Sequence, residues 1–553
     1  MKRILIAISV AAGLASFTSC SDLLDLSPTD RVSDIIIWET TENAEYNINY
    51  LYSYLIDIVN GQTQLGLSES LTDMFKYTAY QMNSEALAPS QFAYGGKNLD
   101  ASYVDSWMGT WGTLYTAIRK VNQAIAGLHK YGKMSDADKL RLEGELRFLR
   151  ADLYFELAKR YGQAIIYDEN LSAIKQHKAL SSEEDVWDFI QSDLEYAARE
   201  LPVKAEASGR LDKGMAYALT TRAMLYAKRW DAVIAAADAV KELGYSLETN
   251  YSDSYQKAIN GGNKEAILQY TFSYADGLTH SMDARFSPGG DFVKIGKSGN
   301  GGVGVPTQEL VESYELATGG LPDWSVWHTA AGTTHTPPYA DLEPRFHATI
   351  LYNGAKWKDR NIEPYIGGLD GWAVWKTEST PGGKTVSGYY LRKLVDEGNV
   401  ELRNSDTPIT IIRYAEVLLN KAEACYNAGD VEGANDAVEM IRARVGLPYT
   451  DKAGSALFQA IRQERRVELA MEGFWYWDLR RWGVAHKQYP EGLTGYQQHG
   501  LKIEKQDDGT FKYTYVSIDE SDRECPERLT YRFPIPVSEY TNNDLVDQFR
   551  EWR

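Results

Sequence analysis

Three glutamates at four-residue steps, Glu464, Glu468 and Glu472, lie within the segment IRQERRVELAMEGFWYWDLRRWG that runs from Ile461 to Gly483. On a helix this spacing sets the carboxylates along one side, and paired carboxylates are what general acid/base cleavage of a glycosidic bond requires. Their neighbours argue for a different role. Arg462, Arg465 and Arg466 would keep these groups ionised, whereas a general acid needs its pKa raised. The segment therefore reads as structure. Ile461, Arg465, Glu468, Leu469 and Glu472 share one helical side, and Glu468 and Arg465 are expected to pair. Gly473 fits a helix stop, and Phe474, Trp475, Trp477 and Trp482 alternate with Asp478, Arg480 and Arg481 as rings packed with charges.

No other catalytic chemistry finds its residues. The eight histidines form no HExxH, and the three cysteines, Cys20, Cys425 and Cys525, form no CxxC, so no metal site is expected. There is no G-x-S-x-G elbow and no P-loop. Gly289-Gly290 and Gly296 to Gly304 lack a GxGxxG before a helix, and no cofactor is expected.

What the loops do carry is flat rings beside polar groups. Sugars rest their C–H faces on aromatic rings while their hydroxyls need amide or carboxylate partners, so a glycan site pairs Trp or Tyr with Asn, Asp, Gln or Arg. Three loop clusters meet this description: Asp73, Tyr77, Tyr80, Gln81 and Asn83; Asp323, Trp324, Trp327 and His328; and Tyr365, Asp370, Trp372 and Trp375. Asp73, Tyr77, Tyr80, Asn83, Trp324, Trp327 and Trp372 are the candidate ligand-binding residues. The competing role for each aromatic is to anchor its own loop.

These loops interrupt a helical scaffold. Apolar residues at 3.6-type spacing predict helices over 44–59, 108–128, 138–161, 186–200, 214–228, 231–243, 411–427, 431–445 and 456–472, with few strands. Two helix pairs share a register. Ala223, Tyr226, Trp230 and Ala235 fall at the same offsets as Ala422, Cys425, Gly429 and Ala434, and these match the small, aromatic, turn and small positions of a tetratricopeptide repeat. Ala151, Tyr154 and Ala158 fit the first part of that pattern. The fold class is mostly α, with helix pairs as scaffold and long irregular insertions.

The amino terminus looks like an export signal. Lys2 and Arg3 precede the apolar run Ile4 to Ala15, too short for a stop-transfer helix, and the run closes on Phe17-Thr18-Ser19-Cys20. A small residue before cysteine makes Cys20 the expected lipidation site, and several acyl chains anchor a protein stably where one does not. Loss of Lys2 and Arg3 takes the formal net charge from -19 to -21, which opposes nucleic acid as a partner. Cys425 and Cys525 are expected to be buried thiols.

The Ile461 to Gly483 block resembles the C-terminal signature of the SusD/RagB family, outer-membrane lipoproteins through which Bacteroidetes import glycans or peptides. Phe474-Trp475 departs from it, since the family usually has a polar or basic residue there. Further blocks, in family order, are ELRFLRADLYFELAKRYG (145–162), RLDKGMAYALTTRAMLY (210–226), DLEPRFHATILYNGAKW (341–357), GYYLRKLVD (388–396), IIRYAEVLLNKAEACYNAG (411–429) and FPIPVSEYTNN (533–543). The Phe17 to Cys20 sequence resembles the family's relaxed lipobox, and coverage is nearly the whole mature chain.

The resemblance implies a surface-exposed, outer-membrane, lipid-anchored SusD-like protein. It would capture an oligosaccharide and pass it to a SusC-like TonB-dependent outer-membrane barrel, with the site in the regions of the first two loop clusters. The division expected is a signal peptide over 1–19, an N-terminal region with repeat-type helices over 20–245, and a C-terminal region with the loop insertions over 246–553. Peptide cargo on the same scaffold is the alternative, modestly disfavoured by the loop tryptophans. An exported helical glycoside hydrolase has a similar composition but lacks the motif order.

Overall fold

The computed structural model describes residues 34–55, 67–77, 110–172, 177–205, 207–296, 301–373, 383–519 and 522–553. Its scaffold is a set of helices packed on their neighbours in space: α1 (Thr41–Leu51), α2 (Trp111–Tyr131), α3 (Asp136–Tyr161), α4 (Glu183–Glu200), α5 (Lys213–Tyr226), α6 (Trp230–Glu242), α7 (Tyr414–Ala428), α8 (Val431–Arg444), α9 (Gly454–Glu468) and α10 (Trp475–Arg481). Caps fix several starts. Ser135 accepts from the Asp138 amide, Asp212 from the Met215 amide, and Ser182 forms a reciprocal box with Asp185. Gly429, at φ 85°, ends α7 in the left-handed region.

The repeat-type pairs α5/α6 and α7/α8 stack directly, α6 against α7, despite the chain inserted between them. The small positions permit this: Ala151, Ala223, Ala422 and Ala434 are fully buried. The shared register holds less well in α6. Ala235 faces solvent, and Ala236 and Ala237 turn inward instead.

The insertion is closed at its base by two antiparallel strands, β2 (Ala266–Tyr270) and β4 (Ile409–Arg413). Here the helix expected from residue 411 begins at Tyr414. The β-branched run Ile409-Thr410-Ile411-Ile412 pairs with β2, as such residues do on a half-buried strand. Two more pairs matter for the site. β1 (Phe75–Tyr77) lies antiparallel to β3 (Gly304–Pro306), and β5 (His499–Lys505) forms a hairpin with β6 (Phe511–Ser517).

One apolar core fills the helical stack and takes in Phe533, Ile535 and Phe549 from the C-terminal segment; it draws on residues from both sides of the expected boundary at 245/246. A second core, under the loops, holds Phe75, Phe286, Tyr314, Trp357, Tyr389, Tyr390, Leu501 and Tyr513.

Between the two cores runs a layer of buried charge. Arg413 donates to Glu265 (2.7 Å), Glu468 (2.6 Å) and Glu472 (2.7 Å), and Arg345 to Glu343 (2.6 Å), Glu464 (2.7 Å) and Glu468 (3.3 Å). Lys393 reaches Glu472 at 2.7 Å. Burial alone would raise the Glu468 carboxyl, but Arg444, Arg413 and Arg345 outweigh it and hold it well below the usual carboxylate range. Arg413 and Lys393 likewise outweigh burial and hold the Glu472 carboxyl below its usual range. Two details differ from expectation. Arg465 pairs with Asp478 (2.7 Å) rather than with Glu468, and α9 ends at Glu468, with both Met471 and Gly473 at positive φ (66° and 85°) before α10.

Asp152 on α3 makes no hydrogen bond to any described residue. Burial first, then Glu156, pushes its carboxyl up to about 7 against the opposing pull of Arg222 and Lys159. A carboxyl whose folded pKa lies above its unfolded value takes up protons on folding, so its contribution to stability falls as pH rises from about 4 to about 7. Asp152→Asn is expected to raise the melting temperature by a few degrees at pH 8 and to change it little at pH 4. Calorimetry at the two pH values checks this; an equal effect at both would contradict it.

Candidate functional site

The β5–β6 hairpin is the wall on which the loops converge. Its residues alternate in and out: Leu501, Ile503 and Tyr513 enter the second core, while Asp508 and Gly509 lie in the connecting turn. The loop over 321–339 pairs with it through Thr333 and Tyr513, each amide donating to the other's carbonyl at 2.8 Å. That approach requires glycine at 332. It sits at φ 74°, and a Cβ there would stand 2.6 Å from Lys512 Cε and Thr514 Oγ1.

Along the outer end of this wall three rings form a row. His499 stacks on Tyr515 at 4.3 Å and 15°, and His328 leans on the other side of Tyr515 at 4.6 Å and 41°. Each imidazole is held by a carboxylate: His328 Nε2 to Glu312 Oε1 at 2.6 Å, and His499 Nδ1 to Glu309 Oε1 at 2.7 Å. The His499 amide donates to the other Glu309 oxygen. Burial raises the Glu309 carboxyl, partly offset by these bonds to His499. Glu309 and Glu312 come from one short helix, Gln308–Val311, and the residue following it, with Thr307 capping its start. The side chains of His328 and His499 are 39% and 25% exposed, so the two imidazoles reach solvent while Tyr515, packed against the second core, lies between them. Flat rings flanked by carboxylates meet the chemical requirement for a sugar.

The expected residues are placed as follows. Asp73 is 2% exposed and spoken for: Arg466 donates to both its oxygens, at 3.2 and 2.7 Å, and Trp475 Nε1 donates to Oδ1. It is an internal ion-pair partner rather than an open acceptor. Trp324 and Trp327 are 5% and 9% exposed, pack edge-to-face at 5.4 Å, and lie in the second core; Trp327 Nε1 donates to the His335 carbonyl. They anchor the loop that presents His328. Trp372 is also buried, bridged to Thr385, and Asp370 is engaged by Arg360 at 2.7 and 2.8 Å. Tyr77 contributes backbone to β1, opposite Gly304. Tyr80, Gln81, Asn83 and Trp375, like Cys20, lie outside the described residues.

The first two clusters do meet. Arg466, which holds Asp73, also bonds Ser313 Oγ and the Glu309 carbonyl, so Asp73 lies beneath the carboxylates that hold the row. The third cluster touches the far end of the same hairpin, with Tyr365 against Phe511 at 5.3 Å. Sequence reasoning singled out His328 but missed His499 and Tyr515. The available signal was the alternation HGLKIEK and FKYTYVS around Asp-Asp-Gly, a hairpin pattern.

Among the described residues, no group of three or more His, Cys, Asp or Glu side chains is placed to hold a metal ion. No described helix is long and apolar enough to cross a membrane. Cys425 and Cys525 are buried and unbridged, as expected.

Comparison with known proteins bears on the whole chain. Residues 264–552 match the family model described as "SusD family", and residues 24–225 match one described as "Starch-binding associating with outer membrane". A SusD-like protein of Bacteroides ovatus is 25% identical, over 99% of this chain and 98% of its own length. The starch-binding protein SusD of Bacteroides thetaiotaomicron is 23% identical, over 99% and 98%. The crystal structure of a SusD-like protein from Bacteroides fragilis superposes with a TM-score of 0.79 at 30% identity, covering 95% of this chain and 99% of that one.

Proposed function

The chain belongs to the SusD family, and from that premise we propose that it is a cell-surface lipoprotein that captures an oligosaccharide and delivers it to a SusC-like TonB-dependent barrel in the outer membrane. The observation that carries glycan capture is the row His328–Tyr515–His499, whose two imidazoles reach solvent, with Glu309 and Glu312 beside it. The starch-binding description of the matching N-terminal model and of the Bacteroides thetaiotaomicron relative supports the same class of ligand. The part-exposed imidazoles of His328 and His499 supply the outer ring faces, with Tyr515 stacked between them, and Glu312, whose Oε2 bonds no described residue, accepts from hydroxyls. Trp324 and Trp327 act by holding the loop, and Asp73 acts by fixing Arg466 under it.

Binding without cleavage is the reading these carboxylates favour. Glu309 accepts from the His499 ring and amide, one on each oxygen, and Glu312 Oε1 accepts from Gln308 at 2.9 Å and from His328, so the pair is held by neighbours and only Glu312 Oε2 is open among the described residues. Native affinity electrophoresis against a panel of polysaccharides tests the proposal. Retardation by at least one polysaccharide, with no reducing ends released, is expected; release of reducing ends, or retention only by peptides, would refute it.

Membrane attachment follows from Ser19-Cys20 closing the export signal. Cys20→Ala protein is expected in the soluble fraction when no barrel partner is present, and acylated Cys20 is expected at the N-terminus of the wild type by mass spectrometry. A Cys20→Ala protein still wholly in the membrane would exclude lipid anchoring there.

A further inference from the structure

A separate pocket of about 180 Å³ opens on the helical stack, lined by Tyr115, Ile118, Arg119, Ile165, Tyr167 and Glu539. Its walls are fixed by hydrogen bonds. The Tyr115 hydroxyl accepts from the Ile165 amide (2.6 Å) and donates to the Ile165 carbonyl (3.1 Å). The Tyr167 carbonyl takes bonds from Asn122 (2.8 Å) and Tyr154 (3.1 Å), and the Tyr167 amide donates to the Tyr154 hydroxyl (2.7 Å). Glu539, from the FPIPVSEYTNN segment, is held through one oxygen by Trp111 Nε1 at 3.1 Å. The Tyr115 ring, the Glu539 carboxylate and the 165–167 backbone are thus set before a ligand arrives, which lowers the ordering entropy that binding costs.

Three polar groups in this pocket retain free hydrogen-bonding capacity. Among the described residues, Arg119 has no hydrogen bond or ion pair, the Tyr167 hydroxyl has no partner, and Glu539 Oε1 has none. They are electrostatic neighbours: burial raises the Tyr167 hydroxyl first, Glu539 raises it further, and Arg119 opposes. Yet Arg119 and Glu539 do not pair with each other, although both line one small pocket. Opposite charges left apart across a gap suit a neutral ligand that can accept from one and donate to the other.

We propose that this pocket is a second ligand site that takes a single neutral hexose ring, distinct from the His328–Tyr515–His499 row. Hydroxyls accept from Arg119 and donate to Glu539 Oε1, the Tyr167 hydroxyl serves either role, and the C–H face rests on Tyr115 with Ile118 and Ile165 beneath. The volume lies below the roughly 300–1,000 Å³ of sites for larger ligands, so one ring fits and an extended chain does not. A uronic acid is disfavoured by Glu539, and an amino sugar by Arg119.

The test uses full-length protein in detergent and saturation-transfer NMR with D-glucose, D-galactose and D-mannose as probes, each titrated separately. At least one hexose is expected to bind saturably. Arg119→Gln and Tyr167→Phe are each expected to weaken it at least fivefold with an unchanged melting temperature, because Arg119 is exposed and the lost Tyr167 hydroxyl bonds no described residue. Tyr515→Ala should leave this binding intact. Failure of all three hexoses, equal affinity in both pocket variants, loss of the signal in Tyr515→Ala, or displacement of the hexose by millimolar glycine would each overturn the proposal. Because the row is probed by a different variant, this outcome is independent of the fate of glycan capture there.

Discussion

Glu468→Ala is expected to destabilise the protein by about 3 to 5 kcal/mol, the cost of removing one partner from a buried ionic network and leaving the others uncompensated. Glu468 is the point where Arg345, Arg413 and Arg444 meet, and all four side chains are at most 3% exposed. Without it the guanidinium groups face one another across the layer that joins the two cores. The dependence on pH has a definite sign. The folded carboxyl lies well below its ordinary 4.5, so its contribution is complete above the unfolded value and is lost as the pH falls below it. Chemical denaturation at pH 7 and at pH 4 should show a smaller gap between wild type and variant at the lower pH. Ligand affinity of the folded fraction should be unchanged; loss of binding at wild-type stability would make this segment a site after all.

Tyr515→Ala is expected to weaken oligosaccharide binding about thirtyfold, roughly 2 kcal/mol, as removal of an aromatic anchor at the centre of a contact does. The ring is clamped between His499 and His328 and holds the two imidazoles in place, so its loss frees both of the rings that reach solvent. Tyr515→Phe keeps the ring and is expected to bind within a few-fold of wild type. Isothermal titration on both variants separates the stacking face from the hydroxyl. Equal weakening by both would assign the effect to the hydroxyl and remove the row as a platform.

Much of the scaffold could be read from the sequence because helices announce themselves locally. The 3.6 periodicity and caps such as Ser182 with Asp185 placed α2 to α8 within a few residues, apart from the start of α7, where tertiary pairing of Ile409 to Arg413 with β2 overrode the pattern. The structural role of the Glu464 to Glu472 block was legible too, from arginines beside carboxylates. Its partners were not: Arg345 and Arg413 come from distant segments, and pairing across the chain leaves no local periodicity.

The site was only partly legible for the same reason. Composition marked the loops correctly as rich in rings and carboxylates, but burial decides which ring meets a ligand, and burial is a property of the assembled chain. Trp324 and Trp327 look like a platform in sequence and are anchors in space, while Tyr515 gains its ring partners from β5 and from the loop over 321–339.

The most direct test of glycan capture is a crystal structure of the protein soaked with an oligosaccharide from whichever polysaccharide retards it in affinity gels. Sugar density lying against the outer face of His328 or His499, with a hydroxyl within hydrogen-bonding distance of Glu312, is the expected result. An ordered oligosaccharide bound elsewhere on the loop face, with the row untouched, would contradict it.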